Sequence, residues 1–266
     1  SAEDFDAANL TLSRVVGIVE IESGGVDRIS VDYDAGAGLI DAPEFEVEGD
    51  ELVIRQLGRF TRTSCSSRGG RMTVSVNRSG RHPVEDFGRF VIRVPAGAEV
   101  SVEGGLVQAS IGDTGALDVG VDGCGDVVAG NVAGDAGLAV NGPGDIMVGD
   151  IGGHLDAAVN GSGDIETGAV MEGVDAAING SGDIEVAAAH GAIDAAIRGS
   201  GDIAFFGGEA DSLDVAIMGS GDVTFDGVAG SVDLASFGSG DVNVASVTGN
   251  ISRAALGSGS VNVGNN

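Results

Sequence analysis

Val174-Asp-Ala-Ala-Ile-Asn-Gly-Ser-Gly-Asp-Ile-Glu-Val186 is the stretch on which the reading of the fold turns. Val174, Ala176 and Ile178 alternate with Asp175, Ala177 and Asn179, the period-two pattern of a strand with one buried face. Gly180-Ser181-Gly182 then interrupts the alternation with two conformationally free residues around a small polar one, which makes a turn. From Ile184 to Val186 the alternation resumes as a second short strand.

Working outward, the tetrad Gly-x-Gly-Asp ends at Asp126, Asp145, Asp164, Asp183, Asp202, Asp222 and Asp241, and an eighth copy ends at Ser260. The spacing is 19 residues throughout, except for 20 between Asp202 and Asp222. A second marker stands eight residues before each: Asp118, Gly137, Asp156, Asp175, Asp194, Asp214, Asp233 and Ser252. Two markers held in register over eight units specify a solenoid, because no single unit can bury its apolar face alone and each must stack on the next. Stacked strands advance about 4.8 Å per coil, and parallel crossovers are right-handed. The expected fold is therefore all-β, a right-handed parallel β-helix with coils of about 19 residues. A propeller needs about 40 residues per blade, and the Leu/Asn framework of leucine-rich repeats is missing.

Residues 96–266 are read as the regular β-helix of eight repeats. Residues 1–95 lack the period but keep strand-like runs at 15–21, 28–33, 51–55, 72–76 and 90–94, so they are read as irregular early coils or a cap. An open end coil would invite edge pairing, which is why a cap is expected. Pro95-Ala96-Gly97 marks the change.

Composition agrees with this reading. Forty-eight glycines, 4% aromatic residues and no tryptophan describe many turns around a thin core of Val, Ile, Leu and Ala. A hydrophobic content of 42% without a Gly-X-Y period excludes both disorder and collagen. The net charge is −28, unevenly placed: residues 1–95 hold 11 Arg and 16 acids (−5), and residues 96–266 hold 2 Arg and 25 acids (−23). Such a field repels nucleic acid and anionic membranes and attracts cations. No apolar run reaches the roughly 18 residues that cross a bilayer, so no transmembrane segment is expected. Beginning at Ser1 without a signal-peptide pattern fits a mature or trimmed product.

At Gly161-Ser-Gly-Asp-Ile165, Gly180-Ser-Gly-Asp-Ile184 and Gly199-Ser-Gly-Asp-Ile203, together with Val91-Ile-Arg-Val-Pro-Ala-Gly97, the chain resembles the bacterial head GIN autotransporter-adhesin family. The resemblance spans roughly residues 10–264. It implies a right-handed β-helix in an exported protein of the cell envelope: periplasmic, on the outer membrane or extracellular. It carries over no catalytic residues. Cys124 and Pro143 stand where later tetrads have serine, and Ser260 where they have aspartate.

Four features are candidates for a site. Stacked carboxylates about 4.8 Å apart repel by about 1 kcal/mol per pair even in bulk water. The ladder Asp126, Asp145, Asp164, Asp183, Asp202, Asp222 and Asp241 therefore needs an offset. The expected one is a bond from each carboxylate to N–H groups of its own glycine turn; the alternative is calcium bridging adjacent coils. No other cofactor and no other metal are expected. The serine column from Ser162 to Ser258 is too uniform for a nucleophile and lies in no nucleophile elbow, and His82, His154 and His190 form no triad, so an enzyme is not expected.

The third feature is segment 55–81, which carries Arg55, Arg59, Arg62, Arg68, Arg71, Arg78 and Arg81 with no acid between Leu52 and Val84. Guanidinium forks recognise carboxylate, phosphate and sulfate. This loop docks on the chain's own acidic body, binds an anionic glycan, lipid headgroup or other cell-surface component, or is disordered. The fourth is the pair Cys65 and Cys124, which form no CxxC motif and, in an exported protein, would tie loop to solenoid as a disulfide.

Three functions fit: an adhesin-like surface protein that binds without catalysis, a scaffold that self-associates through the flat columns Ala158, Ala177 and Ala196, and a polysaccharide-active enzyme if a non-repeating acidic cleft exists.

Overall fold

The structure, a computed structural model, describes residues 2–58, 62–68, 71–77 and 80–264. It is nearly all-β, 65% strand and 1% helix, and parallel coils of about 19 residues stack into a β-solenoid of about nine turns. By proximity the chain divides into two compact units, residues 1–133 with 144–146, and residues 134–143 with 147–266.

In the second unit the repeat becomes geometry directly. Leu155, Val174, Ile193, Leu213 and Val232 stand in one register column, and Asp156, Asp175, Asp194, Asp214 and Asp233 in the next. The first column is buried and the second exposed. Ile165, Ile184, Ile203, Val223 and Val242 form the corresponding inward column of the second strand. Burial of each such side chain stabilises by about 1.5–3 kcal/mol, and each position gains it only because a coil lies on either side. The irregular 20-residue spacing has a local cause: Gly191 pairs with Ala210 and Ala192 with Ser212, so Asp211 bulges out and the register is kept on both sides.

The paired glycines of the tetrad have a steric reason. A Cβ on Gly180 would lie 2.0 Å from the Gly161 carbonyl oxygen, and one on Gly182 2.0 Å from that of Gly163. Successive turns stack backbone on backbone, and any side chain at either position would push the coils apart.

The first unit contains the aperiodic region. Strand Asn9–Ser23 runs parallel to Glu99–Ile111 on one side, and to Glu51–Arg55 and Arg89–Val94 on the other, so residues far from the repeat still build coils. The stack ends where pairing turns antiparallel. Glu44–Glu48 lies against Glu51–Arg55, Ile29–Asp34 against Arg89–Val94, and Glu3–Phe5 against Ile29–Asp34. Phe5 and Phe45 stack across this cap at 5.4 Å. The Pro95-Ala96-Gly97 punctuation is a turn, closed by the Ala98 N–H on the Pro95 carbonyl at 3.2 Å with Gly97 at φ 76°.

Candidate functional site

The arginine-rich segment is not a loop. Thr63–Arg68 and Arg71–Val76 pair antiparallel as a hairpin, and His82–Pro83 adds a short third strand beside Arg71–Val76. Alternation divides the two sides. Met72, Val74 and Val76 are buried and pack with Val16, Val84, Phe87 and Leu106, with Cys65 partly buried against them. On the opposite side cross-strand pairing puts Ser64 beside Ser75 and Ser66 beside Thr73. Arg71 pairs with Arg68 at one end. At the other end Arg62 donates its N–H to Asn77 Oδ1 at 3.1 Å, and Asn77 donates its own to the Arg62 carbonyl at 2.8 Å. Arg81 immediately precedes His82, which is paired with Val74.

Arg62, Arg71 and Arg81 are exposed and make no ion pair among the described residues. Arg59 and Arg78 lie outside the described residues, as does the side chain of Arg68. Arg55 belongs elsewhere: it ends the strand Glu51–Arg55 and is paired with Glu46 at 2.7 Å and Glu48 at 3.2 Å, which holds its guanidinium above its ordinary pKa, Glu48 contributing most. Among the described arginines of the segment, Arg55 pairs with the chain's own acids, whereas Arg62, Arg71 and Arg81 show no such pair. The hairpin docks by its apolar underside, and its described cations face outward.

A disulfide joins Cys65 to Cys124, with Cα atoms 5.9 Å apart, and fastens the middle of the hairpin to the turn that follows strand Ala116–Asp122. Gly123 makes room for it, since a Cβ there would meet Cys65 Sγ at 3.0 Å and Leu106 at 3.1 Å.

From Asp164 onward the tetrad aspartates bond across coils, not to their own turns as expected. Asp164 Oδ1 accepts the N–H of Asp183 at 2.8 Å, and the pattern continues through Asp183, Asp202, Asp222 and Asp241, the last accepting from Ser260 at 2.6 Å. The turn's own N–H groups point along the stack to the preceding coil, as Ser181 does to the Gly161 carbonyl and Ser200 to that of Gly180. Each carboxylate therefore satisfies the next coil and turns like-charge stacking into cross-coil bonding. In the first unit, Asp126 has its pKa raised, chiefly by burial and then by Asp145. No group of three or more potential ligands with metal-binding geometry occurs among the described residues. Chelation with EDTA is accordingly expected to leave the melting temperature unchanged, as read by circular dichroism; a large calcium-dependent rise would contradict it.

The second marker column lines an open trough of about 600 Å³ in the second unit, walled by Asp156, Asp175, Asp194, Asp214 and Asp233 beside the alanine column. Asp194 has its pKa raised, first by desolvation, then by Asp175 and Asp214 on either side, with His154 opposing. His154 itself lies 3.3 Å from Asp175. A raised carboxylate binds its proton more tightly in the folded state, so the cost is present at neutral pH and is relieved as pH falls through the folded pKa toward the ordinary carboxylate range. Asp194→Asn is expected to raise the urea midpoint above that of the unsubstituted chain at pH 7 and to lose that advantage as the pH is lowered toward the ordinary carboxylate range. An advantage independent of pH would contradict the assignment.

The described residues thus form a parallel β-solenoid that carries a disulfide-anchored hairpin with exposed arginines. The chain belongs to the family described as "Putative auto-transporter adhesin, head GIN domain", whose model matches residues 16–209. Among solved structures it is similar to a protein described as a putative lipid binding protein from Parabacteroides distasonis, with 18% identity and a TM-score of 0.57 over 98% of this chain and 95% of that one. It also matches a putative adhesin from Bacteroides fragilis, with 15% identity and a TM-score of 0.40 over 100% and 96% of the respective chains. These likenesses concern the fold. No curated protein sequence matches the chain.

Proposed function

We propose that the protein is an exported, non-catalytic recognition module that binds an anionic component of a cell surface through the outward face of the hairpin. The observation that carries this reading is the pairing of opposites on one small sheet. Its underside is apolar and covalently anchored, while its outer side offers three exposed arginines, without an ion pair among the described residues, beside hydroxyl and amide groups. In a chain of net charge −28, this exposed basic face is the local surface to which an anionic group is attracted. The family's description as an adhesin supports the reading, as does the description of one structural relative as lipid-binding.

The test is an array of glycans and lipopolysaccharides at low and high salt, comparing the chain with an Arg62/Arg71/Arg81→Glu variant shown to be folded. Salt-sensitive binding lost in the variant is expected, because exposed ion pairs are screened. Equal binding by the two proteins would contradict it.

A second reading, self-association, is favoured by another observation. Met218, Phe237 and Leu256 follow one another from coil to coil on an outward face of the second unit and are 57%, 50% and 73% exposed. Phe237→Ser is expected to leave sedimentation unchanged if the recognition reading holds alone, and to shift an oligomer to monomer if the apolar column is used.

A further inference from the structure

We infer that the ligand of the hairpin face is a linear acidic polysaccharide long enough to touch both ends of the face at once; this rests on the reading that the face binds anions. Arg71 marks one end, and Arg62, fixed opposite Asn77, marks the other. Six residues of strand separate positions 71 and 77, about 20 Å at roughly 3.4 Å per residue. Between the ends lie Ser64, Ser66, Thr73 and Ser75, which donate and accept hydrogen bonds but carry no charge. Arg81 stands just ahead of the third strand, next to the residue paired with Val74.

This layout suits a polymer whose anionic groups meet the arginines while its hydroxyl-bearing part lies along the serines and threonine. A compact phosphate or sulfate reaches one end alone, and a single exposed ion pair contributes little. Occupying both ends makes the second contact intramolecular, so affinity grows by effective concentration rather than by any new type of bond. A lipid surface fits less well. No large apolar side chain is exposed on the described residues between 62 and 83 to enter a bilayer. The face also carries no aromatic ring for sugar stacking among the described residues, so recognition here is by charge and hydroxyl pairing.

The experiment is titration calorimetry of the disulfide-intact full chain with a size-graded series of oligogalacturonates, from the monosaccharide upward. Inorganic phosphate and phosphatidylglycerol vesicles serve as separate arms. Affinity is expected to stay low and flat for short members, then to rise at least about tenfold at the length that first spans both ends. Arg71→Gln is expected to abolish that rise while leaving the weak binding of short members in place. A smooth increase without a step, a step that survives Arg71→Gln, or tighter binding of phosphate or vesicles than of the long oligomers would each overturn the inference and leave an anion-binding face standing. Silence in every arm would overturn the underlying reading as well.

Discussion

Gly201→Ala is expected to destabilise the second unit by more than about 3 kcal/mol, whereas Gly207→Ala, six residues further on, is expected to change stability by less than about 1 kcal/mol. A Cβ on Gly201 would lie 1.9 Å from the Gly182 carbonyl oxygen and 2.9 Å from its carbon. Neither atom can give way, because both neighbours of Gly201 are tied to the coil before it. Ser200 donates to the Gly180 carbonyl at 2.9 Å, and Asp202 to Asp183 Oδ1 at 2.7 Å. Relief of the clash would have to separate the coils and break those bonds together. At Gly207 the nearest atom is the Ala187 carbonyl oxygen at 3.7 Å, an ordinary contact, and φ lies outside the left-handed region. Because coils contact only their neighbours, the damage in Gly201→Ala should be local. Urea midpoints, with hydrogen exchange over the coils on either side of Gly201, check both variants; similar behaviour of the two would contradict the stacked-turn account.

The second large effect concerns the disulfide. It closes a loop of 59 residues. Reduction, or Cys65→Ala with Cys124→Ala, is expected to cost the first unit about 4 kcal/mol in the chain-entropy description. The hairpin should loosen rather than detach, since Met72, Val74 and Val76 still pack on Val16 and Leu106. Denaturation curves of oxidised and reduced protein provide the test, and superimposable curves would contradict it. If the outer face depends on that anchor, reduction should also weaken anion binding while the second unit stays folded.

How much of this was legible in the sequence depends on whether a residue's partners recur. The 19-residue period, its one 20-residue step and the inward columns were readable because each coil imposes the same demands on the next, whereas the bulge that absorbs the extra residue emerged only in the structure. The strand runs at 51–55, 72–76 and 90–94 were readable for the same local reason, and the structure places strands at Glu51–Arg55, Arg71–Val76 and Arg89–Val94. The hairpin was not, because Thr63–Arg68 reads Thr-Ser-Cys-Ser-Ser-Arg and shows no apolar alternation. Its pairing becomes visible only beside Met72, Val74 and Val76. The direction of the aspartate bonds was hidden as well: N–H groups of the same turn and of the next coil compete for one carboxylate, and stacking decides between them. Strand Asn9–Ser23 lies outside the period yet builds a coil, because Leu10, Leu12, Val16, Val19 and Ile21 stand opposite Val100, Val102, Leu106, Ala109 and Ile111 without sharing the tetrad.

The most direct test of the recognition surface is hydrogen–deuterium exchange of the intact chain with and without a long oligogalacturonate. The account predicts slowed exchange confined to strands Thr63–Arg68 and Arg71–Val76 and to the residues beside His82, with the trough of Asp156 to Asp233 unaffected. Protection along the trough with an unchanged hairpin would contradict it.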